Sequence, residues 1–134
     1  MKGAEYAPFF MSKIMKKLYQ ALSIVAPSGE YIVQGVKTLE IRSWRPEQLP
    51  LKNLLIVENT HYLNRHGDEE EGRAIAFVDI QSVHAWKNTE IDSAKASYWE
   101  DGYWAWVIEN VRPINPPIKT MARRKIYWIE LEQM

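Results

Sequence analysis

The sequence predicts an α+β domain that is mainly β: a small, closed or nearly closed mixed β-barrel of about six strands with one or two short helices over its openings. Three observations carry this expectation. Apolar segments are short, and several alternate with a period of two. Clusters of Pro, Gly and Asn separate them. The intervals between them are too short for repeated strand–helix–strand units, which excludes a parallel α/β sheet.

One domain is expected over residues 17–134, preceded by a short N-terminal extension, 1–16, with a helical turn around 9–17. LYQALSIV, 18–25, reads as the first strand. A short helix follows, with Ser28 as N-cap and Gly35 as the residue just past its C-terminus. The next strand is 37–44. Its alternation sends Leu39 and Ile41 toward a core and Thr38, Glu40, Arg42 and Trp44 to the other face. Pro46 and Pro50 mark a loop, and the nearly continuous apolar run LLIVE, 54–58, reads as a central strand.

Residues 59–72 form a long polar loop, functional or mobile, with the acidic run DEEE, 68–71, as a solvated tip. RAIAFVDIQSVHAW, 73–86, reads as a long strand with a bend. Residues 89–100 suit a helix, with Thr89 as N-cap and Asp92 three residues on. YWAWVIENVRPI, 103–114, is a buried strand that Pro113, Pro116 and Pro117 end, and KIYWIEL, 125–131, closes the sheet. Trp104, Trp106 and Trp128 fall in buried-strand patterns, whereas Trp86 and Trp99 lie at element ends, where an exposed ring is expected.

Composition narrows the function. The chain has no Cys, which excludes disulfides, thiol catalysis and Cys-based zinc sites and fits a reducing compartment. No apolar run approaches the roughly 20 residues of a membrane span, and the N-terminus lacks the apolar core of a signal peptide. A soluble, cytoplasmic protein is expected, with no membrane partner. Cations and anions balance at 17 each, which argues mildly against a dedicated nucleic-acid binder. The charges are unevenly spread, however: KTMARRK, 119–125, has four cations and no anion, and Lys37, Arg42 and Arg45 face one Glu40. A neutral chain with such clusters still presents a basic patch.

The segment ALSIVAPSGEYIVQGVKTLEIRSWRP resembles the opening of ASCH domains, whose pattern Gly-x-Lys-x-x-Glu-x-Arg is filled here by Gly35, Lys37, Glu40 and Arg42. EGRAIAFVDI and YWAWVIENVRPINPPI continue the resemblance in the same order, over roughly residues 18–131. The resemblance implies a PUA-like β-barrel with a cleft beside that motif that binds RNA or other nucleic acid. Family members differ: some are binding modules, some show ribonuclease activity, and one bacterial branch deacetylates N4-acetylcytidine with a Lys, a Thr and a Glu. Lys37 matches that Lys, but Glu40 stands at the Thr position, so the resemblance does not extend to deacetylation. The tail departs too: where many members have a Gly-rich turn before the last strand, this chain has KTMARRK.

Two readings of these residues stay open. Glu40 and Arg42 share a strand face, and as an exposed ion pair they contribute about 0–1 kcal/mol. As a site, Arg42 offers a fork of donors to phosphate or a base edge, and Glu40 orients it. Lys37 is either a surface lysine near a helix end or a phosphate partner. Trp44 either stacks on a base or seals a barrel mouth. The candidate nucleic-acid-binding residues are therefore Lys37, Glu40, Arg42, Ser43 and Trp44 on the floor, with Arg123 and Arg124 as rim. Were the protein an enzyme, a ribonuclease or nucleoside amidohydrolase, Lys37 and Glu40 would be its acid–base pair. A third reading is a protein-interaction domain of a transcription or translation regulator. RNA or a modified nucleotide is the expected partner and DNA the alternative. No cofactor is expected, and no metal: His61, His66 and Asp68 lie in a loop with no spacing that aims them together.

Overall fold

The computed structural model describes residues 15–133. Six strands form one curled sheet, a half-barrel: β1 (Met15–Val25), β2 (Leu39–Arg42), β3 (Leu51–Asn59), β4 (Glu69–Ala85), β5 (Trp104–Arg123) and β6 (Ile126–Gln133). Their order across the sheet is β2-β5-β4-β3-β1-β6. β1 and β3 run parallel and every other pair is antiparallel, so the sheet is mixed, as expected. The helices are short: α1 (Ser28–Val33), and a 3-10 turn (Asn88–Glu90) leading into α2 (Ile91–Ala94). Among the described residues no helix is long and apolar enough to cross a membrane.

β3 is central because it is apolar on both faces. Leu54 and Ile56 join the main core with Leu22, Ile24, Ile32, Val78 and Trp106. Leu55 and Val57 point the other way, into a second cluster with Ala21, Ala74 and Leu131. Full burial of each such aliphatic side chain contributes about 1.5–3 kcal/mol. Leu39 enters a third, smaller core with Trp86, Ala94 and Ala105 beneath α2, and Ile41 packs half-buried against it.

Several expectations change. β1 starts at Met15, so Met15–Lys17 are strand rather than the end of a helical turn; residues 9–14 of that expected turn lie outside the described residues. Ser28 is the first helical residue and makes no capping bond. The orphan N–H of Glu30 donates instead to Glu58 Oε2 on β3, at 3.1 Å. Gly29 allows this approach, since a Cβ there would lie 2.8 Å from that oxygen. Gly35 does end the turn, at φ +80.

The strand expected at 37–44 is paired only over Leu39–Arg42. The polar loop shortens because Glu69–Glu71 belong to β4. The DEEE run is thus not a solvated tip: Glu70 accepts from the Thr60 hydroxyl at 2.6 Å and from His61 Nδ1 at 2.6 Å. β4 does bend, with register shifts at three places. Thr89 lies inside the 3-10 turn and does not cap it; the Glu90 carboxylate accepts from the Lys87 N–H at 3.0 Å, and helical structure stops at Ala94.

β5 runs through all three prolines to Arg123. The physical reason is position. β2 pairs β5 only over Trp104–Val107, with one further bond from the Ile108 N–H to the Thr38 carbonyl, so past Ile108 β5 has a strand partner on one side. Pro116 and Pro117 fall in the gap between the Ala76↔Pro113 and Ala74↔Ile118 pairs, where no ladder N–H is needed. Two tryptophans also change places. Trp86 is buried, its indole N–H donating to the Glu90 carbonyl. Trp128 is 61% exposed, because on β6 its neighbours Tyr127 and Ile129 take the inward positions.

Candidate functional site

The turn after α1 delivers Lys37 directly to the start of β2. The N–H groups of Val36 and Lys37 both donate to the Tyr31 carbonyl, which closes the helix end. Lys37 is 5% exposed and Glu40 7%, so neither is a surface charge. Lys37 Nζ donates to the Ala94 carbonyl at 2.7 Å and lies 3.3 Å from Glu40 Oε1. Arg42 Nε donates to Glu40 Oε2 at 2.7 Å. Glu40 is therefore held between two cations, and the exposed-pair and surface-lysine readings both fall.

Arg42 does a second job. Its Nη2 donates to the Ser23 carbonyl of β1 at 2.8 Å. β2 is one edge of the sheet, and β1 is next to the other. The bond ties the two across the open side of the half-barrel. Ser23 is reached from a third direction as well, its hydroxyl accepting from the Arg123 N–H at 3.1 Å and bonding the Tyr127 hydroxyl at 2.9 Å.

Burial alone would raise the Glu40 pKa. The Arg42 and Lys37 charges, and their hydrogen bonds, outweigh burial and hold the carboxyl below its ordinary range. Glu40 is ionised, and the cluster of two cations and one anion has a net positive charge.

All seven residues singled out in the sequence line one cleft of about 570 Å3. Lys37, Glu40 and Arg42 are joined there as described. Ser43 is exposed, and Trp44 is half-buried. The Trp44 ring meets Trp106 edge-on at 5.0 Å, and Lys125 Nζ stands 5.6 Å from its centre. The Trp106 N–H donates to the Trp44 carbonyl at 3.3 Å, which fixes this segment to the core. Arg123 pairs with Glu69 at 3.2 Å; Arg124 makes no ion pair among the described residues. Arg123 ends β5, and Arg124 and Lys125 form the tight turn into β6, with Lys125 at φ 57.

The same cleft contains residues the local pattern did not reveal. Asn59, at the end of β3, and Ser23, on β1, line it. So do His61 and Tyr62 from the polar loop; the Tyr62 ring is 78% exposed. Lys95 and Lys125 add to the cations of the wall. The length of the loop was a signal for His61 and Tyr62. The same loop, read as 59–72, began at Asn59; Ser23 had no signal, since it is one polar residue near a strand end. His61 and Asp68 are engaged within the loop, His61 with Glu70 and Asp68 with the N–H groups of Asn64 and Arg65.

Comparison with curated proteins finds no match. The family model for the ASCH domain matches residues 22–118. That span holds α1, the Lys37–Glu40–Arg42 cluster and most of the sheet, and the chain belongs to the ASCH domain family, in general RNA-binding domains of PUA-like type.

Proposed function

We propose that the cleft binds single-stranded RNA, or a modified nucleotide within it, with DNA as a weaker ligand. The observation that carries this reading is the meeting of a buried, net-positive Lys37–Glu40–Arg42 cluster with Arg123 and Arg124 in one cleft. Its volume, about 570 Å3, suits one nucleotide. Arg123 and Arg124, with Lys95 and Lys125, neutralise phosphates at the rim. Arg42, locked by Glu40 and the Ser23 carbonyl, presents Nη1, which makes no hydrogen bond among the described residues, as a preorganised donor. Lys37 and Ser43 supply further donors. Tyr62 offers a free ring face for stacking, and Trp44, packed on Trp106, shapes the wall.

A hydrolytic role for Lys37 and Glu40 has less physical support. Both Glu40 oxygens are engaged by cations and its carboxyl sits below the ordinary range, which makes it a weak base at neutral pH.

Anisotropy of a labelled RNA dodecamer over a salt series tests the binding reading. Affinity falls steeply with salt, and Arg42→Ala weakens it about tenfold or more at every salt concentration, since a hydrogen bond to a charged group contributes about 1.5–3 kcal/mol. Circular dichroism of the variant separates loss of ligand from loss of fold. A folded Arg42→Ala protein with full affinity sinks the assignment.

A further inference from the structure

Asn59 is 3% exposed on the wall of the cleft. Its Nδ2 donates to the His61 carbonyl at 2.7 Å. A carbonyl only accepts, so this bond decides which end of the amide is which: Nδ2 faces the His61 carbonyl and Oδ1 is the other end. Oδ1 is buried and has no hydrogen-bond partner, and it is the one side-chain atom of that kind among the described residues. Folded proteins rarely leave such an atom unpaired.

The cleft is polar in a directed sense. Its cations Arg123, Arg124 and Lys125 stand together at the turn between β5 and β6. Its interior contains acceptors. Glu40 is an ionised carboxylate, and each of its oxygens, bonded once, keeps a second lone pair. Asn59, in the wall, carries the other, its buried Oδ1. Lys37 and Arg42 are already paired with Glu40, whereas Arg124 and Lys125 make no ion pair among the described residues, so the anionic end of a nucleotide belongs at the β5–β6 turn and its base belongs inside. Of the common bases, cytosine, adenine and guanine carry an exocyclic amine with two N–H donors; uracil has only one ring N–H.

We infer that the cleft selects nucleotides whose base carries an exocyclic amine, and that this amine donates to Asn59 Oδ1. The inference rests on the RNA-binding reading and adds the feature of the base that is recognised. Oδ1 is closed off from solvent; the amine reaches it when the amide turns about its terminal torsion, a soft one, and exchanges its bond to the His61 carbonyl for the bond to the base. A site built around such an acceptor penalises an analogue without the donor, here by about tenfold or more.

The test is a set of uridine-rich RNA dodecamers that differ at one central base: cytidine against uridine, guanosine against inosine, adenosine against unsubstituted purine. The amine-bearing member of each pair binds about tenfold tighter or more. Asn59→Leu levels the series, and Asn59→Asp, which keeps an acceptor, preserves it. Equal affinity across the three pairs, with RNA still bound, overturns the inference and leaves the RNA-binding reading intact. An amine preference that survives in a folded Asn59→Leu also overturns it. No binding of any RNA overturns both. If neither variant folds, the wild-type series alone decides.

Discussion

Two buried carboxylates, Glu40 and Asp79, each meet an arginine, and the two clusters do different things. Asp79 lies on β4, 7% exposed. Its Oδ1 accepts from the Asn53 N–H at 3.0 Å and from Arg112 at 3.2 Å, and its Oδ2 from Asn110 Nδ2 at 3.0 Å. Asn53 and Asn110 both have positive φ, 57 and 53, at irregularities of β3 and β5. Asp79 is thus a clasp that pins two bulges, and neutral donors do most of the pinning. Asp79 also lies 3.9 Å from Lys52 Nζ, but the two cations of Glu40 stand closer, at 3.3 and 2.7 Å where Arg112 and Lys52 are at 3.2 and 3.9 Å, and that cluster lines a cleft. A carboxylate closed by backbone and amide donors holds a fold together. One that keeps two cations in place beside an opening suits the anion that the proposed function brings there.

Removing either acid sharpens that contrast. Glu40→Ala has the largest expected effect. It leaves the buried Lys37 and the half-buried Arg42 without their counter-charge and destabilises the fold by about 3 kcal/mol in urea unfolding. A loss under about 1 kcal/mol shows that the cluster is solvated after all. Asp79→Ala costs less, about 1–3 kcal/mol, because neutral donors lose one acceptor, and it leaves RNA affinity unchanged. An Asp79→Ala protein that is folded but binds RNA poorly erases the distinction.

Acid probes the Asp79 clasp next. Asn53, Asn110 and Arg112 hold the Asp79 carboxyl at about 2 against an ordinary 3.8. A depressed folded-state value stabilises the protein above the unfolded value, and that stabilisation is lost as pH falls through the folded one. Stability therefore drops between about pH 4 and pH 2, and Asp79→Asn flattens that part of the urea-midpoint profile. An identical profile in the variant removes Asp79 from the acid response. The smallest effect is at the rim. Arg123→Ala and Arg124→Ala each reduce the slope of log affinity against log salt by about 0.7, the value for one phosphate contact on a single strand. Unchanged slopes place the phosphate elsewhere.

Much of the fold was legible because it rests on local patterns. The double-sided apolar run at 54–57 marked β3 as central, Gly35 marked the end of α1, and the expected six strands are those of the curled sheet. The prolines of β5 misled, since their tolerance depends on which strand edge is unpaired. Trp86 and Trp128 misled for a related reason: burial of an aromatic depends on the face that the neighbouring elements cover.

The site divides in the same way. The spacing of Glu40 and Arg42 sets a shared strand face, because the period of a β-strand is two. That much belongs to the sequence alone, as do the cationic run at 119–125 and the absence of Cys. The tertiary structure decided the rest. It buried Lys37 under the Ala94 carbonyl, brought Ser23 within reach of Arg42 from a strand 19 residues away in sequence, and set Asn59 and Tyr62 in the wall of the same cleft. These contacts depend on how a mixed sheet curls until one edge approaches the other. Curvature of that kind is the sum of twist and bulges over many residue pairs, and no short stretch of sequence encodes it.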